Sequence, residues 1–271
     1  MIDLSVAMIG RNESAVLARA LASVQNVARE LIFVDTGSSD DSADVARHFG
    51  ARVFEFEWQD DFAAARNASL REASSAWILV LDCDEELISD DQGLVGLVTA
   101  CGTRGAQAFL VEIDNLQRDG GLLRHGALRL FRNDPRIRFN NPVHESVGES
   151  VYAAWPTQAI ETAGFRLRHH GYARLDNSDK SARNERILQR WLEREPFNIY
   201  ASYKYGLSLA HRRDPGAIEW LGRGFELLDR ERDPQSYPFR HGLAQAFMQE
   251  LRRYGLDGEA EKASARAARW P

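Results

Sequence analysis

Trp77-Ile78-Leu79-Val80-Leu81-Asp82-Cys83-Asp84-Glu85-Glu86 is the stretch that decides the fold. Five consecutive apolar residues read as a strand buried on both faces, and the carboxylates that follow mark where it leaves the core. Upstream, residues 4–9, 31–35 and 52–56 read as three more strands. Between them lie amphipathic segments. Residues 15–27 place Val16, Leu17, Ala20, Leu21 and Val24 on one helical face, and residues 42–49 and 62–73 read as two further helices. Strands alternating with amphipathic helices predict βαβ units, an α/β class and a mostly parallel, Rossmann-like sheet covered on both faces. In such sheets ligands bind beyond the carboxyl ends of the strands. Asn12, Glu13, Asp35, Asp82 and Asp84 all follow strands at that edge, so they are expected to converge.

Further along, residues 107–113 and 128–132 are strand-like. Phe165, Leu167 and His169 share one strand face, with Arg166, Arg168 and His170 on the other. From residue 177 onward helices take over, at 180–195, 199–212, 217–232, 239–254 and 257–268. Tyr205-Gly206-Leu207-Ser208-Leu209-Ala210 aligns with His241-Gly242-Leu243-Ala244-Gln245-Ala246, an internal repeat of tetratricopeptide-like character or the product of an ordinary helical bundle. Two domains are therefore expected, 1–176 and 177–271. Charge supports the division: residues 1–179 are net −10 and residues 180–271 net +4.

The chain has 271 residues, a formal net charge of −6 and 44% hydrophobic residues, which excludes disordered, collagen-like and disulfide-scaffold classes. The acidity argues against a nucleic-acid partner. Two cysteines, Cys83 and Cys101, suit a reducing compartment. No apolar run reaches the ~20 residues of a membrane helix, and the N-terminus lacks the pattern of a signal peptide. The expected location is cytoplasmic, at most peripheral at the inner face of the membrane.

Three constellations carry chemistry. Asp82 and Asp84 offer hard oxygen ligands suited to Mg²⁺ or Mn²⁺, the rest of whose shell a substrate's phosphates complete. The competing reading is a solvated acidic loop or helix start. Asp35, ending a strand before Thr36-Gly37-Ser38, can accept hydrogen bonds from a base or a ribose, while Asp40 reads as a helix cap. Arg66, in Asp60-Asp61-Phe62-Ala63-Ala64-Ala65-Arg66-Asn67, can reach a phosphate or a base, or form a surface salt bridge. Arg124, Arg129, Arg132, Arg136 and Arg138 read as a site for an anionic acceptor or as a basic loop. Trp155, Trp191 and Trp220 could stack on a sugar or belong to the core.

Taken together, Asn12-Glu13, Val34-Asp35-Thr36-Gly37-Ser38, the Asp60–Asn67 segment and Leu81-Asp82-Cys83-Asp84 resemble family-2 glycosyltransferases of the GT-A fold. Arg129-Leu130-Phe131-Arg132, Val143-His144-Glu145 and His169-His170-Gly171-Tyr172 extend the likeness. It is closest to a bacterial subgroup with C-terminal helical repeats that includes relatives of lipopolysaccharide-core glucosyltransferases and peptide S-glycosyltransferases. The resemblance implies that Asp35, Asn12 and Glu13 line a UDP-sugar pocket, that Arg66 helps hold the nucleotide, and that Asp82 contacts ribose or metal. It implies Asp84 as the main ligand of Mn²⁺ or Mg²⁺, with His169 as a further metal ligand. Cys83 points away and packs as a small hydrophobe. An inverting displacement needs a base, for which Glu145 is the first candidate and His144 the second. The implied acceptor is a cell-envelope glycan, a lipid-linked glycan or a peptide, and the helices could mediate a homodimer. A different class of reading is a helical interaction protein on a catalytically silent nucleotide-binding domain. A phosphohydrolase using Asp82 as nucleophile is disfavoured by Glu85-Glu86.

Overall fold

A computed structural model describes residues 1–88, 93, 96, 105–117, 119–171 and 178–270. Cys101 and Tyr172, singled out above, lie outside these residues. The chain separates into two compact units, Met1–Asp176 and Asn177–Pro271.

The first unit is built on a sheet ordered β3-β2-β1-β4-β7-β6-β8-β5. Its strands are β1 (Ile2–Gly10), β2 (Ala28–Asp35), β3 (Arg52–Glu55), β4 (Trp77–Val80), β5 (Glu85–Leu87), β6 (Ala108–Leu116), β7 (Leu122–Arg132) and β8 (Ile160–His169). β1 to β4 are parallel, joined by α1 (Ser14–Val24), α2 (Ser42–His48) and α3 (Phe62–Arg71), as the alternating pattern predicts. A short helix, α4 (Gly148–Ala154), precedes β8.

Burial follows the strand alternation. On β1, Leu4, Val6 and Met8 enter a core with Leu17, Leu21 and Val24 of α1, while Ala7 joins Ile78, Val80 and Phe131 on the opposite face. Each fully buried Leu, Val or Phe contributes about 1.5–3 kcal/mol, so β1 is pinned in register from both sides.

Two features of the pairing are not encoded in the apolar runs. The strands that end at Asp35 and just before Asp82 are not adjacent. β1 hydrogen-bonds to both β2 and β4 and lies between them, and equally apolar strands do not encode which of them pair. Glu85 and Glu86 do not enter a solvated loop. They form β5, antiparallel to β8, with Glu85 opposite His169.

The second unit is all helical, with α5 (Ser178–Arg194), α6 (Ile199–His211), α7 (Gly216–Asp229), α8 (Arg240–Arg253) and α9 (Asp257–Ala267). Leu221, Phe225 and Leu228 of α7 pack with Leu243, Leu251, Ala260 and Trp270. The repeated glycines mark close approaches: a Cβ on Gly206 would stand 2.7 Å from Leu221 Cγ, and one on Gly242 2.7 Å from the Tyr203 hydroxyl. Among the described residues, no helix is long and apolar enough to cross a membrane.

Candidate active site

The sheet's direction changes bring late strands to the edge where β4 ends. β7 is antiparallel to both β4 and β6, and β8 is parallel to β6. β6 and β8 thus run in the same sense as β4. Asn115 and His169, near or at their ends and paired in register, arrive at the edge that holds Asp82 and Asp84.

The first cluster is a buried ion network. Asp61 caps α3 by accepting from the Ala64 amide at 2.9 Å, and the small buried residues Ala63 and Ala65 let the helix lie close to the sheet. Arg66 is carried inward as a result. Its Nη2 donates to Asp82 Oδ1, its Nε donates to Glu145 Oε1 at 3.2 Å, and its guanidinium lies over Phe139. Arg129 Nη2 donates to Asp82 Oδ2 at 2.8 Å and to Glu85 Oε1 at 2.9 Å. Burial alone would raise the Asp82 carboxyl, but Arg129 and Arg66 hold it well below the usual carboxylate range. Glu85 is pushed up to about 7 by burial, against the pull of Arg129 and with the Asp82 charge adding to the rise. Arg66 is thus not a surface salt bridge; it joins Asp82 to Glu145.

The second cluster holds Asp84 and His169. His169 Nε2 lies 3.3 Å from Asp84 Oδ2, and His169 Nδ1 lies 3.0 Å from Asn115 Oδ1. Burial would lower the His169 pKa, but its hydrogen bond to Asp84 and the Asp84 charge raise it. Gly171 lies against this pair with no side chain: a Cβ there would come within 2.5 Å of both Asp84 Oδ2 and His169 Nε2. A carboxylate oxygen and an imidazole nitrogen aimed at one another, with a glycine against them, form a donor set that fits Mn²⁺ or Mg²⁺. Among the described residues, no group of three or more His, Cys, Asp or Glu is arranged to hold a metal. With a divalent cation bound, the pair would supply two protein ligands and leave the remaining positions to substrate oxygens and water. Asp82 does not join them here, since both of its oxygens accept from arginines.

The third cluster laces the turns after β1 and β2. Asp35 Oδ1 accepts from the amides of Gly37 and Ser38 at 3.1 and 2.8 Å. Asn12, at a left-handed φ of 56°, accepts from the Ser39 amide at 2.8 Å. The Glu13 amide donates to Ser42 Oγ at 2.8 Å. Asp40 accepts from the amides of Ser42 and Ser14, but it is not the helix cap expected: the N-cap of α2 is Asp41, whose side chain makes no capping bond. Asn12 and Asp35 thus build the turns after β1 and β2. Glu13 is close enough for its charge to act on Cys83, whose thiol is raised by burial first and then by Glu13, Asp82 and Asp84. Cys83 itself is buried, its Sγ donating to the Ile9 carbonyl.

Of the remaining candidates, Glu145 is half-buried against Arg66, while His144 is exposed at a φ of 55°. His170 points away from Asp84 and lies 3.0 Å from Glu86 Oε1. The arginines from 124 to 138 do not form one anion site. Arg124 pairs with Asp114 at 2.7 Å, Arg129 belongs to the buried network, Arg132 lies over Trp77, and Arg136 pairs with Asp134 at 2.7 Å. Trp155 and Trp191 are buried, and Trp220 packs edge-on against Tyr205. Glu85, Asn115 and Gly171 have no role assigned from sequence, and Arg129 is read there only as part of an anionic-acceptor site or a basic loop. The available signal was a charged residue directly beside apolar strand positions, as at Leu128-Arg129-Leu130.

The family model described as Glycosyl transferase family 2 matches residues 5–152, and the chain belongs to this family. It is 38% identical over 241 residues to a TPR repeat-containing protein of Synechococcus elongatus, a match covering 83% of this chain and 57% of that protein. It is 26% identical over 233 residues to the SPbeta prophage-derived glycosyltransferase SunS of Bacillus subtilis, covering 83% of this chain and 50% of SunS. The chain thus spans about half the length of these relatives. Among solved structures, S. aureus TarS 1–349 in complex with UDP superposes with a TM-score of 0.56 at 13% identity, covering 98% of this chain and 88% of that one. The α/β unit has the GT-A fold that the sequence implied.

Proposed function

We propose that this chain transfers a sugar from a nucleotide donor, most simply a UDP-sugar, to an acceptor hydroxyl or thiol of a cell-envelope glycan or a peptide, with Mn²⁺ or Mg²⁺ as cofactor and inversion at the anomeric carbon. The observation that carries this reading is the Asp84–His169 pair with Gly171 against it, at the carboxyl edge of a family-2 sheet. The UDP and UDP-GlcNAc complexes of TarS supply the donor class by analogy of fold.

When bound, a divalent cation would stabilise the negative charge that grows on the departing diphosphate. Asp84 and His169 would hold it. Asp35 and the Asn12–Glu13 turn frame the nucleotide side of the pocket. Arg66 Nη1 and Arg129 Nε are buried without hydrogen-bond partners among the described residues, leaving donors for substrate oxygens. Glu145 takes the acceptor's proton as its oxygen or sulfur bonds to the anomeric carbon. The glycosyl–phosphate C–O bond breaks, and its electron pair stays on the diphosphate. Arg66 keeps the Glu145 carboxylate oriented during this transfer.

Thermal unfolding tests the reading directly. UDP is expected to raise the melting temperature only with Mn²⁺ or Mg²⁺ present, by the equivalent of about 2.7 kcal/mol at a hundredfold excess over Kd. Asp84→Ala is expected to abolish the shift. A metal-independent UDP shift, or one that survives Asp84→Ala, would overturn the proposal.

A further inference from the structure

Asn115 is nearly fully buried and stands between two histidines. Its Nδ2 is 2.9 Å from the Leu123 carbonyl, 3.3 Å from the Ile113 carbonyl and 2.8 Å from His125 Nδ1. Carbonyl oxygens only accept, so the amide's nitrogen must face them and its orientation is fixed. Oδ1 is then the atom 3.0 Å from His169 Nδ1. An amide oxygen also only accepts, which requires His169 Nδ1 to carry a hydrogen. In the neutral ring, Nε2 then bears the lone pair, and Nε2 is the atom that faces Asp84 Oδ2.

The sheet enforces this arrangement. Asn115 is opposite His169 in the parallel β6–β8 pair and opposite Leu123 in the antiparallel β6–β7 pair. The amide thus spans the two strands that flank its own. Metal-binding histidines characteristically donate their second ring N–H to such an oxygen, which fixes the tautomer and the ring plane.

We infer that Asn115 is a positioning residue that holds His169 in its Nδ1–H tautomer, aims the Nε2 lone pair at Asp84, and thereby sets the affinity of this pair for a divalent cation. This rests on the metal-dependent reading above. It adds a residue that touches neither cation nor substrate, and it makes β6 a supporting strand of the site.

The test compares wild type, Asn115→Leu, Asn115→Asp and His169→Ala. Each is titrated with Mn²⁺ in the presence of UDP, with free Mn²⁺ followed by electron paramagnetic resonance. The tautomer of His169 is read in the metal-free protein from imidazole ¹⁵N chemical shifts at alkaline pH. Asn115→Asp retains an oxygen toward His169 Nδ1–H and is expected to keep the tautomer, although its second oxygen replaces the donor that faces the Leu123 and Ile113 carbonyls and should lower the melting temperature. Asn115→Leu is expected to weaken Mn²⁺ binding by about 10–100-fold and to lose the Nδ1–H preference. Its melting temperature without metal verifies that it is folded. An Nε2–H tautomer in the wild type overturns the inference, whatever the variants do. Unchanged Mn²⁺ affinity in Asn115→Leu, alongside a loss in His169→Ala, overturns the role of Asn115 alone. Unchanged affinity in His169→Ala overturns the metal reading on which it rests.

Discussion

Arg66 Nε donates to Glu145 Oε1 across 3.2 Å, and the same guanidinium donates through Nη2 to Asp82. One cation thus ties α3 to the end of β4 and to a loop 79 residues further along. Arg66→Met would leave two carboxylates facing each other without their shared partner. Removing one member of a buried ion pair costs about 3–5 kcal/mol, so a loss of that size in the unfolding free energy, read from urea denaturation, is expected. Arg66→Lys should recover only part of it, because an ammonium cannot reproduce the two-pronged geometry.

Glu145→Gln separates base catalysis from binding. The amide oxygen still accepts from Arg66, but the side chain no longer takes a proton at neutral pH. Turnover should fall by about 10²–10⁴-fold, while UDP-dependent stabilisation in the presence of Mn²⁺ stays at the wild-type level. His144→Ala, at an exposed position, should lower turnover far less; steady-state kinetics on both variants decides between the two candidates.

Gly171→Ala asks whether the pair of Asp84 and His169 needs a residue without a side chain against it. The new methyl group would press on both ligand atoms. Mn²⁺ affinity should drop at least ~10-fold, since ligand geometry governs such sites, with little change in melting temperature without metal. Calorimetric titration with Mn²⁺ and UDP, paired with a melt of the apo protein, measures both quantities.

Glu30 gives the pH dependence at the opposite edge. Its Oε1 accepts from Ser5 Oγ and from the amides of Ser74 and Ser75. Burial alone would raise its pKa, but these hydrogen bonds lower it below its ordinary 4.5. A depressed carboxyl contributes stability that is present above 4.5 and is lost as the pH falls through the folded value. Wild type should therefore lose stability below that point more steeply than Glu30→Gln does. Urea unfolding at a series of acidic pH values measures the two slopes.

Much of this architecture was readable in advance. The apolar runs of β1 to β4 and the helical periodicity between them needed no tertiary information, and Asp84 and His169, both named from sequence, do meet at 3.3 Å. What escaped was pairing across distance. Nothing in Leu128-Arg129-Leu130 announces that Arg129 meets Asp82 and Glu85 across the sheet. Asn115 is an ordinary strand-end residue until register sets it opposite His169. Arg66 reads as exposed because arginine usually is; Ala63 and Ala65 reverse this by letting α3 settle onto the strands. α4 has only seven residues, too short for a periodic signal to rise above its surroundings.

The hydrogen-bond clamp around Glu30 ties together β1, β2 and the segment leading into β4, the strands whose far ends deliver Gly10, Asp35 and Asp82 to the pocket. Sturdiness and chemistry therefore reside at opposite poles of shared strands. On the proposed reading, substrate preference can drift at one pole while the other keeps the scaffold intact, which would make the loops after β1 and β2 the natural place to redesign donor choice without unravelling the protein.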